Sequence, residues 1–213
     1  MKGDDLLEAS YTSLLDALAV TGDADAWSPT RCRGWSVQDL VHHLQSDAAR
    51  ALVALHSPSS VPPDTDEVSY WRSWRPQPGG GDADLRHTRI LASVWTFRPL
   101  VEHYVETAHA VIVASNARPR HDVITTQGKS MTVGTLRSTL AVEATVHQLD
   151  LGLGVPAPQG LAEVRRVLDG LLGSPAPIAD DTRYALVGTG REPLTAEESA
   201  RLGSSAGLLP LFG

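Results

Sequence analysis

The sequence predicts a mainly α protein: a four-helix bundle with a small β-hairpin and a short C-terminal extension. Three observations carry this. Four long stretches repeat their apolar residues at helical spacing, two connections between them are long enough to cross a bundle, and one β-branched tract is split by a glycine turn. The bundle is expected over 1–155. The extension, over 156–213, is expected to pack on it as a helix, a strand and a short helix.

In the first helix, expected over 4–20, Leu6, Leu7, Tyr11, Leu14, Leu15, Leu18 and Val20 fall on helical spacing, with acidic residues in the first turn. Thr21-Gly22-Asp23 ends it. A loop through Pro29, Cys32 and Gly34 follows. Ser36 then caps a second helix whose stripe runs Val37, Leu40, Val41, Leu44, Ala48, Ala51, Leu52 and Leu55, with Pro58 as its stop. His43 lies on the edge of that stripe and His42 on a neighbouring side. From 57 to 82 prolines and a Gly79-Gly80-Gly81 run replace the aliphatics. This reads as a long, mobile connection: either a lid, whose Tyr70, Trp71, Arg72 and Trp74 could shape a pocket, or an ordinary surface insertion.

Residues 83–117 read as one long helix that Pro99 kinks or splits. The tract 121–126, a turn at Gln127-Gly128-Lys129 and a return through 130–133 form the hairpin. Thr132 or Thr135 caps the fourth bundle helix, which Gly152 and Gly154 end. A fifth helix follows over 161–172, then a strand at 183–187. Thr195-Ala196-Glu197-Glu198 is a capping box for a last short helix.

Composition narrows the function. The net charge of −7 and pI near 5.5 leave no excess of Lys and Arg for a nucleic-acid partner. No apolar run is long enough for a membrane span. The opening Met1-Lys2-Gly3-Asp4-Asp5 lacks the layout of an export signal, and the single cysteine, Cys32, excludes an internal disulfide. A soluble cytoplasmic protein is expected, with Cys32 a small loop residue rather than a reactive thiol. No dinucleotide or phosphate loop is present; Gly188-Thr189-Gly190 is too short for one.

Glu143 and His147 stand four residues apart in the fourth helix, so both side chains leave one face, one turn apart. A carboxylate and an imidazole so held offer two ligands to a divalent metal, or simply make an ordinary helix surface pair. A third ligand must come from a facing helix. His43, in the middle of the second helix, is the first choice, with His103 and His109 as substitutes. Two histidines and a carboxylate leave open coordination positions, which is the catalytic pattern for zinc.

The segment Pro29-Thr30, Cys32, Gly34-Trp35-Ser36-Val37-Gln38-Asp39-Leu40-Val41-His42-His43-Leu44 resembles the head of the mycothiol-dependent maleylpyruvate isomerase family, within the DinB-like superfamily of metal-binding four-helix bundles. The signature's His-Leu pair falls on His43-Leu44, eight residues after Trp35, and so selects His43 over His42. Glu143, His147 and Asp150 match the second signature. Gly188-Thr189-Gly190-Arg191, Pro193-Leu194-Thr195 resembles the tail of single-domain members.

The resemblance implies zinc, or another divalent metal, on His43, Glu143 and His147, which would be the catalytic centre, and Asp150 either as acceptor to His147 or as a helix-end residue. Trp35 reads as bundle-end packing. Implied with these are mycothiol as thiol cofactor, a small electrophilic substrate, and a monomer or homodimer. In the family's best-known activity the thiol adds to a double bond, the new single bond rotates, and elimination gives the trans isomer. The isomerase also carries a sizeable C-terminal domain that supplies a catalytic arginine. About 60 residues follow the fourth helix here, so that domain is expected to be absent or vestigial. Arg191 is either its stand-in or a surface or structural residue. Three readings follow: a zinc- and thiol-dependent transferase or isomerase; a hydrolase or lyase using zinc-bound water; and a non-catalytic bundle that binds a metal or ligand.

Overall fold

A computed structural model describes residues 6–74 and 82–213. Four helices make the bundle: α1 (Leu6–Ala19), α2 (Val37–Leu55), α5 (Phe97–Asn116) and α6 (Val133–Leu151). Between α2 and α5 lie α3 (Ser69–Arg72) and α4 (Asp82–Ala92). Around the bundle α1 packs on α5 and α6, and α2 packs on the same two from the other side. Leu14, Leu18, Leu40, Val41, Leu100, Tyr104, Val111, Val142 and Ala144 are among the residues that fill the core and are almost wholly buried.

The caps follow the sequence. Ser36 accepts from the Asp39 amide while Asp39 accepts from the Ser36 amide, a reciprocal arrangement that satisfies two helix-end donors and stabilises by about 1 kcal/mol. Asp39 also receives Arg89 from α4, which ties that helix to the start of α2. Thr132, not Thr135, caps α6, and Gly152 ends it in the left-handed region at φ 68°.

The expected single helix over 83–117 is two helices. The break falls at 93–96, upstream of Pro99, which sits in the first turn of α5 where its missing N–H costs nothing. Strands β1 (Val123–Thr126) and β2 (Lys129–Thr132) form the hairpin, antiparallel with Ile124 opposite Met131. Gln127 and Gly128 both take positive φ, the geometry of a two-residue turn whose twist matches the strands.

The 57–82 connection is less free than its composition suggests. Pro58 bridges to Ile124, and Asp64 and Thr65 donate their amides to Ser130 O. Tyr70 and Trp71 are buried in α3, and Trp71 stacks against Phe212 at 4.4 Å. Trp74 is half-exposed and Arg72 exposed; residues 75–81, with the glycine run, lie outside the described residues, as do 1–5.

Beyond α6, α7 (Pro158–Leu172) starts on a proline at its first position and packs on α6 and α1. The strand expected at 183–187 is instead a helix, α8 (Asp181–Gly188). Asp180 caps it through the Arg183 amide, and Tyr184, Ala185 and Val187 are buried, with α8 packed on α7. The apolar run Tyr184–Val187 fits strand and buried helix equally, and among the described residues the β1–β2 hairpin offers no strand alongside to pair with it. α9 (Ala196–Leu202) has the expected Thr195–Glu198 box.

Candidate metal centre

His43 projects from the first half of α2, and Glu143 and His147 from the second half of α6, where these helices face each other. Glu143 Oε2 lies 2.9 Å from His147 Nε2 and 3.8 Å from His43 Nε2. One donor atom from each of the three falls within 4.8 Å of the others, and this is the one such group of three His, Cys, Asp or Glu among the described residues. The two imidazoles meet edge to face, centroids 4.9 Å apart, and Trp35 also meets His43 edge to face at 5.3 Å.

The surroundings orient these groups. Asp150, fully buried, accepts from His147 Nδ1 at 2.9 Å, which leaves Nε2 to face Glu143 and His43. Arg191 donates to both oxygens of Asp150, at 2.9 and 3.0 Å. Burial alone would lower the His147 pKa, but the hydrogen bonds to Asp150 and Glu143 outweigh it and bring it up to about 9. Burial likewise works against ionised Asp150, yet His147 and Arg191 hold its carboxyl down at about 2. Glu143 is held well below the usual carboxylate range by its two histidines, again against burial.

Sequence reasoning passed over one nearby group. Asp47, one turn beyond His43, places Oδ2 3.7 Å from His43 Nε2 and pairs with Arg50. Its four-residue spacing from His43 repeats the pattern that links Glu143 to His147 and was available as a signal. Burial and the neighbouring Glu143 push its pKa up. Asp47 and Glu143 share the wall of a cleft with Tyr70, Gln127, Met131 and Leu140, so the centre opens where the hairpin, α3 and the bundle meet. Cys32 lies on the opposite flank, in the loop whose Arg31 amide donates to Asp150 O. Burial and Asp150 push its thiol up to about 11 against the pull of Arg191.

The alternatives fall away from the centre. His42 is buried on the neighbouring side of α2, His103 stacks on Trp95 at 5.4 Å, and His109 is exposed. The donor set therefore fits a divalent cation: two imidazoles and a carboxylate from two rigid helices, with Glu143 also on the cleft wall.

Fold and site together define a helical bundle with a three-donor centre between facing helices. Residues 7–152 match the family model described as mycothiol maleylpyruvate isomerase N-terminal domain, and the chain belongs to that family. Among solved structures it is similar in fold to the mycothiol-dependent maleylpyruvate isomerase and to a histidine-to-alanine variant of the same enzyme. Each match has a TM-score of 0.55 and 14% identity, over 78% of this chain. The chain spans 65% of the length of those structures. No curated protein matches. Among the described residues no helix is long and apolar enough to cross a membrane.

Proposed function

We propose that this protein is a metal-dependent enzyme that uses a low-molecular-weight thiol of the mycothiol kind to isomerise, or be transferred to, a small electrophile. The observation that carries the reading is the convergence of His43, Glu143 and His147, with Glu143 on the wall of a cleft, in a chain of the mycothiol maleylpyruvate isomerase family. A divalent cation such as zinc held by these residues supplies a Lewis acid that makes a thiol acidic at neutral pH.

The chain's own residues do the rest. His147, kept in one tautomer by Asp150, offers Nε2, and His43 is steadied by the Trp35 ring. Met131, Leu136 and Leu140 make part of the cleft wall apolar, which thins the water around a reacting sulfur. Cys32 stays protonated, so the nucleophilic sulfur enters with the co-substrate. Addition of a thiol across an activated double bond forms a C–S bond and places a proton on the neighbouring carbon. After rotation, loss of the same proton and thiol restores the double bond, and no thiol is consumed. Transfer to an electrophile with a leaving group consumes one thiol per turnover.

The test is elemental analysis of the purified chain, followed by turnover of maleylpyruvate and of a bimane electrophile with and without mycothiol. Thiol-dependent turnover that disappears on chelation is the expected result. Turnover by metal-free protein would overturn the reading, and metal-dependent turnover without thiol would favour hydrolase or lyase chemistry.

A further inference from the structure

One side chain from beyond the family match reaches the centre. Arg191 follows α8, outside the matched 7–152, and all three of its guanidinium nitrogens are engaged. Nε and Nη2 donate to the two oxygens of Asp150, and Nη1 donates to Thr189 O at 2.8 Å. The side chain is 8% exposed and that of Asp150 0%.

The turn that presents it is braced from two sides. The Arg191 amide donates to Leu186 O, and Leu211 donates its amide to Gly188 O. Gly190 takes φ +74°, and a Cβ there would come within 3.1 Å of the Pro210 ring, so glycine is needed for both conformation and contact.

The consequence runs inward. A carboxylate that accepts one hydrogen bond can swing about a broad terminal torsion. A two-pronged guanidinium removes that freedom and sets the plane of Asp150. Asp150 Oδ2 in turn receives His147 Nδ1, which fixes both the tautomer and the ring direction of His147.

We propose that Arg191 is a positioning residue for the metal centre: it locks Asp150, and through Asp150 it holds His147 in its metal-binding orientation. The C-terminal segment thereby completes a centre whose three donors all lie in the bundle. The inference rests on reading His43, Glu143 and His147 as metal ligands.

The test measures Zn²⁺ affinity of the full chain by competition with a chromophoric chelator, with the visible spectrum of Co²⁺-loaded protein as a second readout. Arg191→Gln is expected to weaken Zn²⁺ by about tenfold and alter the Co²⁺ spectrum, and Arg191→Lys to recover part of the loss. Asp150→Asn is expected to cost about 10- to 100-fold, and adding Arg191→Gln to it nothing further, because the arginine acts only through that carboxylate. Wild-type affinity and spectrum in Arg191→Gln would overturn the proposal, as would a double variant whose loss is the product of the single losses. If Arg191→Gln and Arg191→Lys both fail to fold, Arg191 is a structural tie and the positioning role is refuted. A wild-type chain that binds no Zn²⁺ sinks the metal reading instead, a separate outcome.

Discussion

His43 Nε2 faces two carboxylates at almost the same range, Glu143 at 3.8 Å and Asp47 at 3.7 Å. Only Glu143 belongs to the three-donor cluster, and Asp47 is half a step outside it on the cleft side. The two carboxylates repel, which is part of why Asp47 holds its proton more tightly than usual. A cation between them would relieve that repulsion. Asp47→Asn is therefore expected to weaken Zn²⁺ by less than about tenfold, whereas Glu143→Ala, which removes a ligand, should cost more than about 100-fold. The metal-free Asp47→Asn protein should melt no lower than wild type, since a buried like-charge contact is lost. Chelator competition and calorimetry read both effects. Equal losses for the two variants would make Asp47 a ligand in its own right.

The adjacent histidines of α2 are expected to separate cleanly. His43→Ala should abolish metal binding yet leave a folded metal-free protein, because its ring is partly exposed. His42→Ala should keep the metal and lose about 1–3 kcal/mol of stability, because its ring is buried away from the centre. Metal content and urea denaturation of the two variants decide this. A metal-free His42→Ala protein beside a loaded His43→Ala protein would reverse the assignment.

What was legible in the sequence follows physical range. The Glu143–His147 pairing is a helix periodicity, and the caps at Ser36, Thr132 and Thr195 are local chemistry, so each could be read from a few residues. The choice of His43 needed the motif count from Trp35, and the structure gives that spacing a cause: the Trp35 ring packs on His43. The kink or split expected at Pro99 falls instead at 93–96, because a proline in a first helical turn breaks nothing. The Arg191–Asp150 contact joins residues 41 apart, and no local pattern marks it. The α8 segment reads as a strand in the sequence because an apolar run does not declare its period, even though Asp180 offers a cap.

Stability of the metal-free protein should depend on pH through His147. Its folded pKa, about 9, lies above the ordinary 6.5, so its contribution is complete below pH 6.5 and is lost as pH rises through 9. Asp150 works in the opposite direction: held at about 2 against an ordinary 3.8, it contributes above pH 3.8 and fails as pH falls through 2. Chelated protein should therefore melt highest between about pH 4 and 6.5 and progressively lower toward pH 9. Zn²⁺ must displace the His147 proton, so binding should strengthen over the same rise in pH, with proton release measurable by titration calorimetry in buffers of different ionisation enthalpy. A melting temperature that climbs from pH 6.5 to 9 without metal would contradict this account of His147.

Cys32 provides the last prediction, because it decides where the reacting sulfur comes from. Burial and the Asp150 carboxylate push its thiol from an ordinary 9 up to about 11, with Arg191 pulling the other way. At pH 8 a two-unit rise leaves about 100-fold less thiolate than in an unfolded chain. Alkylation by iodoacetamide should then run roughly 100-fold slower in the native protein than in urea. Arg191→Gln should slow it further by removing a nearby charge that favours the thiolate. Cys32→Ser should keep thiol-dependent turnover, since the nucleophile arrives with the co-substrate. Native alkylation at the denatured rate, or a Cys32→Ser protein without turnover, would place the reacting sulfur on the chain itself.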